Sequence, residues 1–482
     1  MSPAAAAASP DGASAAVPAG PDCGTDSGPD SLGAGRRGAV HWRRGHVRDV
    51  VREWPGVREV RVRLDAPLPR VGGAAAVEGD RPGSHGEDGA GTTAAGAAPG
   101  PGASGAAGAA GAAGAAPSPG ATGAAGTAGA AGTASAAGTA SAAGTADAAG
   151  TVVRATALVD LVGTPEVGDE VLLSVSALAR GLGTGGSAGV VAVPGRLPAD
   201  PPPAPGHLVK ARYTPLQAMV LGVDEQESPA HGALVDADDL DDLPVVVADL
   251  HSALPAVLAG WRAERAVRGL APGRCVYVMT DGGALPAALS RAAAGLRAAG
   301  WVDAVVTTGQ AFGGDAEAVT LHTGLLAAKH VLGADLVVVA QGPGNLGTGT
   351  RWGFSGVACG EAVNAVSVLG GRPVASLRVS GADARERHRG VSHHSLTAYG
   401  RVALARAEVV VPRLAGDLGT RVRQQAAALA DRHELVEVDV AGLDEALATS
   451  PVRLSTMGRG ADEDPAAFLA AAAAGRWAAT AR

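Results

Sequence analysis

DLVVVAQGPGNLGTGTRWGFSG, residues 335–356, decides the fold class of this chain. Its first part, residues 335–341, is an almost continuous apolar run, which is typical of a strand buried on both faces of a parallel sheet. A long Gly-rich segment follows and leads into a predicted helix at residues 356–369. A strand, a long loop and a helix in this order are the repeating unit of an α/β fold.

The same order recurs from residue 243 onward. Further strands are predicted at residues 245–250, 275–280, 304–309, 373–380, 408–412 and 435–440. Further helices are predicted at residues 286–299, 317–332, 395–406 and 419–432. The sequence therefore predicts an α/β domain over residues 243–482, with a mostly parallel sheet and helices on both faces.

The loops of this domain differ in length according to their direction. The loops that lead from a helix to a strand are short, at residues 300–303, 333–335 and 370–372. The loops that lead from a strand to a helix are longer and polar, at residues 281–285, 309–316, 341–355 and 380–394. Strand-to-helix loops of a parallel sheet share one edge, where α/β folds bind ligands. The sequence therefore predicts a ligand site at the carboxyl edge of the sheet.

Short strand patterns dominate the chain before this domain. Residues 57–64, VREVRVRL, are predicted as a half-buried strand with Glu59, Arg61 and Arg63 facing water. Strand patterns resume at residues 152–162, 168–175 and 189–193, so residues 36–195 are predicted to form a small β-rich domain, a barrel or a sandwich. Residues 196–242 are predicted to form a Pro-rich linker and a β-hairpin, followed by an acidic, solvated loop.

Two segments lack the bulky apolar residues that a core needs. Residues 1–35 are mostly Ala, Pro, Ser, Gly and Asp, and residues 72–150 are rich in Ala and Gly. Because neither segment can bury enough surface to offset the entropy of ordering, both are predicted to be disordered, as a tail and as an insertion in the β-rich domain. An ordered Gly-x-y assembly is the alternative for the insertion, although it has too few prolines for collagen.

Composition excludes several classes of protein. The chain has 39 basic and 47 acidic residues and a net charge of −8, which argues against general binding to nucleic acid or to anionic membranes. Its 3 cysteines form neither a disulfide framework nor a zinc-binding spacing, and no apolar run is long enough for a membrane helix. We therefore expect a cytoplasmic protein, and the sequence leaves its oligomeric state open.

The predicted carboxyl edge carries several candidate functional residues. In the loop after residue 341, Gly344, Thr348 and Arg351 are candidates for contact with an anion, although a flexible Gly-rich loop is the alternative. Asp281 and Asp315 also follow predicted strands, where a carboxylate can act as a base or bind a metal. Asp315 is equally suited to cap the next helix.

RERHRGVSHH, residues 385–394, is the stretch richest in functional side chains. Arg387 is a candidate clamp for an anion, and His388 or His393 is a candidate acid or base. A metal site is an alternative, but adjacent His393 and His394 are not expected to face one ion easily, and the spacing is not that of a helical zinc motif. A structural hydrogen-bond network is the third interpretation. The sequence leaves metal and cofactor requirements unknown.

Several stretches resemble one known family. They are GDEVLLSVSALARGLGTGG, KARYTPLQ, MTDGGALP, GQAFGGDAEAV, GPGNLGTGTRWGFSG, RERHRGVSHHSLTA and STMGRGADEDPAAFLAAAAAG. They are similar to the bacterial family catalogued as domain of unknown function 3866, over most of residues 36–65 and 151–475. The resemblance implies no activity, substrate or catalytic residue. It points to one more loop, residues 455–464, with Arg459 as a ligand-binding candidate.

Together these patterns predict a protein that binds a small anionic metabolite at the carboxyl edge of its α/β sheet. The sequence does not decide whether the protein only binds this metabolite or also acts on it as an enzyme. The candidate catalytic residues are His388, His393 and Asp281, and the candidate ligand-binding residues are Asp315, Gly344, Thr348, Arg351, Arg387 and Arg459. The rival expectation is a non-catalytic regulatory or scaffold protein that recruits a protein partner.

Overall fold

The structure is a computed structural model that describes residues 40–69, 150–181 and 186–480. Of the segments that the sequence predicts to be disordered, residues 1–35 and all of residues 72–150 except Gly150 lie outside the described residues.

Five strands near the start of the chain close into a small barrel. They are β1 (Trp42–Trp54), β2 (Val57–Leu64), β3 (Val152–Leu158), β4 (Glu170–Ser174) and β5 (Ser187–Ala192). Their order around the barrel is β1-β2-β3-β5-β4, and β3 and β5 form its parallel pair. The predicted strand at residues 152–162 ends early, because residues 159–162 form the short helix α1 (Val159–Val162). A second short helix, α2 (Ser176–Ala179), follows β4.

Side chains along β2 alternate between the core of the barrel and its outer surface. Val60, Val62 and Leu64 are buried, whereas Arg61 and Arg63 face outward, as the sequence predicts. The expectation for Glu59 is wrong, because its side chain is buried and pairs with Arg52 of β1.

The low-complexity segment leaves and re-enters the barrel at one hairpin. Leu64, the last residue of β2, donates its N–H to the carbonyl oxygen of Thr151 over 2.9 Å, and the N–H of Gly150 donates to the carbonyl oxygen of Leu64 over 3.2 Å. Because β2 and β3 are neighbouring antiparallel strands, the ladder is complete without any residue of the connection.

Residues 208–220 form the predicted hairpin, β6 (Leu208–Lys210) and β7 (Ala218–Val220). The Nζ of Lys210 donates to the carbonyl oxygens of Ala311 and Ala318 over 2.9 and 3.0 Å, which anchors the hairpin to the α/β domain. The acidic run at residues 236–242 forms a loop, as expected.

Twelve further strands follow in the described part of the chain. They are β8 (Pro244–Val247), β9 (Cys275–Thr280), β10 (Ala304–Thr307), β11 (Ala316–Glu317), β12 (Leu336–Gln341), β13 (Arg372–Ser376), β14 (Val379–Ser380), β15 (Gly390–Val391), β16 (Glu408–Arg413), β17 (Glu434–Asp439), β18 (Ser455–Thr456) and β19 (Arg459–Gly460). Eight of them form one sheet in the order β11-β10-β9-β12-β8-β13-β16-β17, and every pair in it is parallel. The predicted parallel sheet is confirmed.

Helices precede, separate and follow the strands of this sheet. They are α3 (His231–Leu234), α4 (Leu254–Val267), α5 (Arg291–Ala298), α6 (Leu321–His330), α7 (Ala358–Val368), α8 (His393–Thr397), α9 (Gly416–Ala426), α10 (Leu443–Ala448) and α11 (Pro465–Ala478). The connections β8 to β9 and β12 to β13 run in opposite directions along the sheet, so right-handed crossovers place α4 and α7 on opposite faces. Helices α10 and α11 pack against α4, and α6 packs against α7. None of the helices within the described ranges is long and apolar enough to cross a membrane.

Several predicted elements differ from the structure, and three of the differences change the type or pairing of an element. The strand predicted at residues 373–380 ends at Ser376, and β14 pairs with β15 in a separate ribbon instead. The helix predicted at residues 317–332 begins at Leu321, because Ala316 and Glu317 pair with β10 as β11. The helix predicted at residues 395–406 begins at His393 and continues as a π-helical turn, Ala398–Val402.

Candidate functional site

The topology marks one place at the carboxyl edge of the sheet. Neighbouring strands β8 and β12 connect to strands on opposite sides, so the loops that follow them diverge and leave a crevice, where α/β folds bind ligands. Asp249 lies just after β8 and Gln341 ends β12. The Nε2 of Gln341 donates to the carbonyl oxygen of Asp249 over 2.8 Å, which ties the two strand ends together.

Asp249 is the central carboxylate of this crevice and is only 5% exposed. Its Oδ2 accepts from Nη1 of Arg378 over 3.1 Å and lies 3.1 Å from Nδ1 of His394, which is itself 3.0 Å from Nη1 of Arg378. Its Oδ1 accepts from Nδ2 of Asn345 in the loop after β12, over 3.1 Å. Burial opposes ionisation, but the hydrogen bond from His394 and the charge of Arg378 outweigh it and keep the pKa of Asp249 below its ordinary value. Asp249 is therefore an ionised, buried hub.

Three imidazoles converge beside this hub. His388, His393 and His394 each offer a ring nitrogen, and these nitrogens all lie within 4.8 Å of one another. The ring of Phe354 stacks on His394 with centroids 3.8 Å apart and covers one side of the cluster. The expectation that adjacent His393 and His394 would not face one point is wrong: these residues begin α8 after a tight turn capped by Ser392, and their rings meet edge to face at 4.5 Å.

Both candidate acid–base histidines are neutral at pH 7. Burial, followed by the charges of Arg378 and Arg385, lowers the pKa of His388 to about 3. Burial, followed by His394 and Arg387, lowers the pKa of His393 to about 4. At pH 7 only about one His393 ring in a thousand then carries the proton that a general acid needs. The geometry therefore supports roles as bases or ligands for these two imidazoles.

A cleft of about 510 Å³, open to solvent, lies next to the hub. Its polar lining includes Arg378, Asp383, Arg459 and Asp464. Arg459 lies 3.2 Å from Asp464 and 3.4 Å from Asp383, so its guanidinium is already occupied by two carboxylates. Arg385 also pairs with Asp383, over 3.0 Å. The charges of this cleft therefore balance internally, and Arg459 serves the pairing of its own loop.

Arg387 and Arg351 are placed differently. Both are exposed, and neither forms an ion pair with any residue in the described part of the chain. A Cβ on Gly349 would lie 3.9 Å from Nη2 of Arg387, so this guanidinium reaches the loop after β12. Its charge also contributes to the lowered pKa of His393. Arg387 thus lies between that loop and the histidine cluster, with its hydrogen-bond donors unpaired by a carboxylate.

The loop after β12 has an ordered interior. The N–H of Thr348 donates to the carbonyl oxygen of Gly353 over 2.7 Å, and its hydroxyl lies 3.1 Å from that of Thr350. Gly344 has a φ of 93°, in the region that favours glycine. Leu346 and Trp352, in contrast, are 73% and 55% exposed. The loop therefore presents apolar side chains to solvent beside Arg351 and Arg387.

Asp281 and Asp315 lie outside the histidine cluster. Asp281 follows β9 and accepts from the N–H of Gln310 over 2.9 Å, so it links two loops of the carboxyl edge. Asp315 accepts from the N–H of Val305 over 2.8 Å and pairs with Arg297. Asp315 therefore lies level with the start of β10, away from that edge. It does not cap the next helix either, because Thr320 caps α6.

Three residues of this site are not predicted from the sequence: Asp249, Arg378 and His394. For Asp249 a signal exists, because an acidic residue ends the apolar run PVVVAD at the carboxyl end of a central strand. For Arg378 no signal exists, since it lies inside what reads as one continuous strand.

Comparisons with known proteins identify a family and add no activity. No curated protein is significantly similar to the chain. A family model described as "Protein of unknown function (DUF3866)" matches residues 154–475. The match begins within β3 and extends through most of α11, so it includes the whole large sheet, Asp249 and the three histidines. Because the matched residues make up more than half of the sequence, the chain belongs to the DUF3866 family.

Proposed function

We propose that this protein binds a small anionic metabolite at the carboxyl edge of the large sheet, between Arg387, Arg351 and the histidine cluster of His388, His393 and His394. The observation that carries the proposal is the position of Arg387, which reaches the loop after β12 and influences His393 but has no carboxylate partner among the described residues.

The surrounding charges support this assignment. Arg378 and Arg459 are each paired with buried or half-buried carboxylates, so they are not available to a ligand. A guanidinium without such a partner can bind a carboxylate or a phosphate through two parallel hydrogen bonds. Arg351, on the same loop as exposed Trp352, adds a second positive charge. The ligand that fits is therefore an anion with an apolar or planar part that Trp352 and Leu346 would cover.

The histidines determine what chemistry the site would add to binding. A neutral imidazole can accept a proton from a bound molecule. His393 is half-buried, and because its Nε2 is inaccessible to water, Nδ1 is the nitrogen that would take that proton. Asp249 positions His394 through its hydrogen bond to Nδ1. If the ligand is turned over, His393 is the base and Arg387 is the clamp.

A thermal-shift screen of the full chain tests this function. Inorganic phosphate, sugar phosphates, nucleotides and dicarboxylates are the probes, and at least one class should raise the melting temperature of the wild type. Arg387→Ala should abolish that rise. Arg389→Ala is the matched control, because Arg389 is equally exposed but its charge acts on Glu386 instead.

If no probe stabilises the wild type, or if Arg387→Ala keeps the full shift, the proposal is wrong. The first of these results would favour the rival function, a scaffold that recruits a protein partner.

We place this activity in the cytoplasm. Cys275 and Cys359 are both free and buried, and burial raises the pKa of each thiol, which makes them structural rather than reactive. Their free state fits a reducing compartment.

A further inference from the structure

We propose that His388, His393 and His394 together bind one divalent transition-metal ion, and that Zn²⁺ fits the site best. This inference goes beyond the anionic ligand and does not depend on it, because the ion would bind to imidazole nitrogens that lie together in the protein itself. With the ion bound, His393 is a ligand and no longer acts as the base.

The distances between the candidate ligand nitrogens support the metal site. All three candidate ligand atoms lie within 4.8 Å of one another, and the ring centroids are 4.5 to 5.0 Å apart. A tetrahedral zinc ion with Zn–N bonds of about 2.05 Å holds its nitrogens about 3.3 Å apart. The nitrogens would therefore approach one another by at most about 1.5 Å, which small side-chain rotations supply.

The hydrogen bonds of His388 and His394 also support the metal site, because each uses one ring nitrogen and leaves the other for the ion. Nδ1 of His394 lies 3.1 Å from Oδ2 of Asp249, which can only accept, and 3.0 Å from Nη1 of Arg378, which can only donate. In the tautomer that donates from Nδ1 to Asp249, Nε2 offers its lone pair to the ion. Nδ1 of His388 lies 2.8 Å from Oγ of Ser392, and when Nδ1 donates to this hydroxyl, Nε2 of His388 offers its lone pair in the same way. A carboxylate or hydroxyl behind a metal-binding histidine is the usual arrangement that orients the ring.

His393 has a buried nitrogen that a metal ion would satisfy. Its Nε2 is inaccessible to water and has no hydrogen-bond partner among the described residues. A buried polar atom left without a partner costs free energy, so such atoms are rare in folded proteins. A metal ion shared with His388 and His394 would satisfy this nitrogen.

The local charges are compatible with a cation. Nη1 of Arg378 lies 3.0 Å from Nδ1 of His394, and its charge is offset by Asp249 at 3.1 Å. Arg385, whose charge also acts on His388, is paired with Asp383. Arg387 is exposed to solvent, which screens its repulsion of the ion. Three protein ligands also leave a fourth position on a tetrahedral ion, which an anion held by Arg387 could occupy.

A second group of possible ligands, His207, Glu225 and Glu227, serves as a comparison. His207 and Glu227 are exposed, and the carboxylate of Glu225 already accepts from the backbone N–H groups of His207 and Gly222. This group is therefore explained by the turn that it stabilises.

The test uses the full chain, stripped of metal with a chelator and titrated with Zn²⁺ alone. The wild type should bind one ion tightly, and His393→Gln should weaken that binding by more than about 100-fold, since even the loss of an outer hydrogen-bond partner costs 10- to 100-fold. His207→Gln is the matched control and should bind as the wild type does. Failure of the wild type to bind, or unchanged binding by His393→Gln, overturns the proposal.

A second measurement needs no variant and so does not depend on variants that fold. X-ray absorption of the wild type loaded with Zn²⁺ or Co²⁺ counts imidazole ligands directly, and three are expected. Fewer than three would overturn the site. Since no anion is present in either experiment, the result is independent of the thermal-shift screen for the anionic ligand.

Discussion

His251 makes the stability of this protein depend on pH in a way that the structure quantifies. It lies in the 3-10 turn His251–Ala253 after β8, and burial lowers its pKa to about 4. Its Nε2 lies 2.8 Å from the hydroxyl of Ser290, and its Nδ1 lies 3.2 Å from the hydroxyl of Tyr277, which itself donates to the carbonyl oxygen of Gln341 over 3.0 Å. This chain of hydrogen bonds suits a neutral ring.

The sign and the size of the effect follow from the two pKa values. In the unfolded chain the ring takes up a proton near pH 6.5, but the folded protein does not until about pH 4. The contribution of His251 to stability is therefore complete above about pH 6.5 and is lost as the pH falls toward 4. A gap of about 2.5 pH units at 1.36 kcal/mol per unit gives about 3 kcal/mol in all, and about 2 kcal/mol at pH 5.

Urea unfolding at pH 7 and pH 5, with wild type and His251→Gln, measures this contribution. The wild type should lose about 2 kcal/mol more between these pH values than the variant does, because only the wild type can protonate at this position. Protonation of His388 and His393 also destabilises the fold on acidification, but both residues are present in the wild type and in the variant. Their contributions to the free energy of unfolding therefore cancel in the comparison. His322→Gln, at an exposed position of α6, is the control. Equal losses for wild type and His251→Gln would refute the reasoning.

Three further changes test other parts of the structure. Asp249→Asn should lower the free energy of unfolding by about 3 kcal/mol or more, because it leaves Arg378 buried without a counter-charge, and adding Arg378→Met should recover part of the loss. Gly260→Ala should destabilise by more than about 2 kcal/mol, because the new methyl group would overlap a backbone carbonyl of α11, whereas Gly232→Ala in α3 has open space and should change stability by less than about 1 kcal/mol. Deletion of residues 70–149, with Pro69 joined to Gly150, should leave the melting temperature within a few degrees of the wild-type value, since β2 and β3 pair without them. Chemical denaturation measures the first two effects and calorimetry the third. No loss of stability in Asp249→Asn, equal losses in the two glycine variants, or a large fall in the melting temperature of the deletion variant would contradict the respective prediction.

The parallel sheet could be predicted because its central strands are apolar on both faces. Runs such as residues 336–340 leave no room for a strand with a solvated side, so the class of fold follows from the sequence. Helices α4 and α11 could not be predicted in this way from their sequence pattern. Many of their positions are Ala or Gly and most of α11 is buried, so neither shows the polar face that marks an amphipathic helix.

The edge of the sheet on which the candidate site lies could be inferred from the sequence, but the residues that the structure brings together there could not. Unequal loop lengths indicate the carboxyl edge whichever residues the loops contain. Convergence of the three histidines depends on the β14–β15 ribbon, which folds residues 385–394 back toward β8. Spacing rules for metal sites assume a regular helix and do not apply to such a path. Asp315 was misplaced because a two-residue strand, β11, is too short to detect.

Asp249 has a consequence for how the two sides of the site communicate. One of its oxygens holds Asn345 in the loop after β12, and the other holds the ring of His394. Whatever fixes the position of that loop therefore also fixes the orientation of an imidazole in the cluster. By thermodynamic linkage, any change that a ligand on the loop makes in the affinity of the histidines for their occupant is matched by the same factor in the other direction. A single carboxylate is the contact through which the two proposed binding events would be coupled.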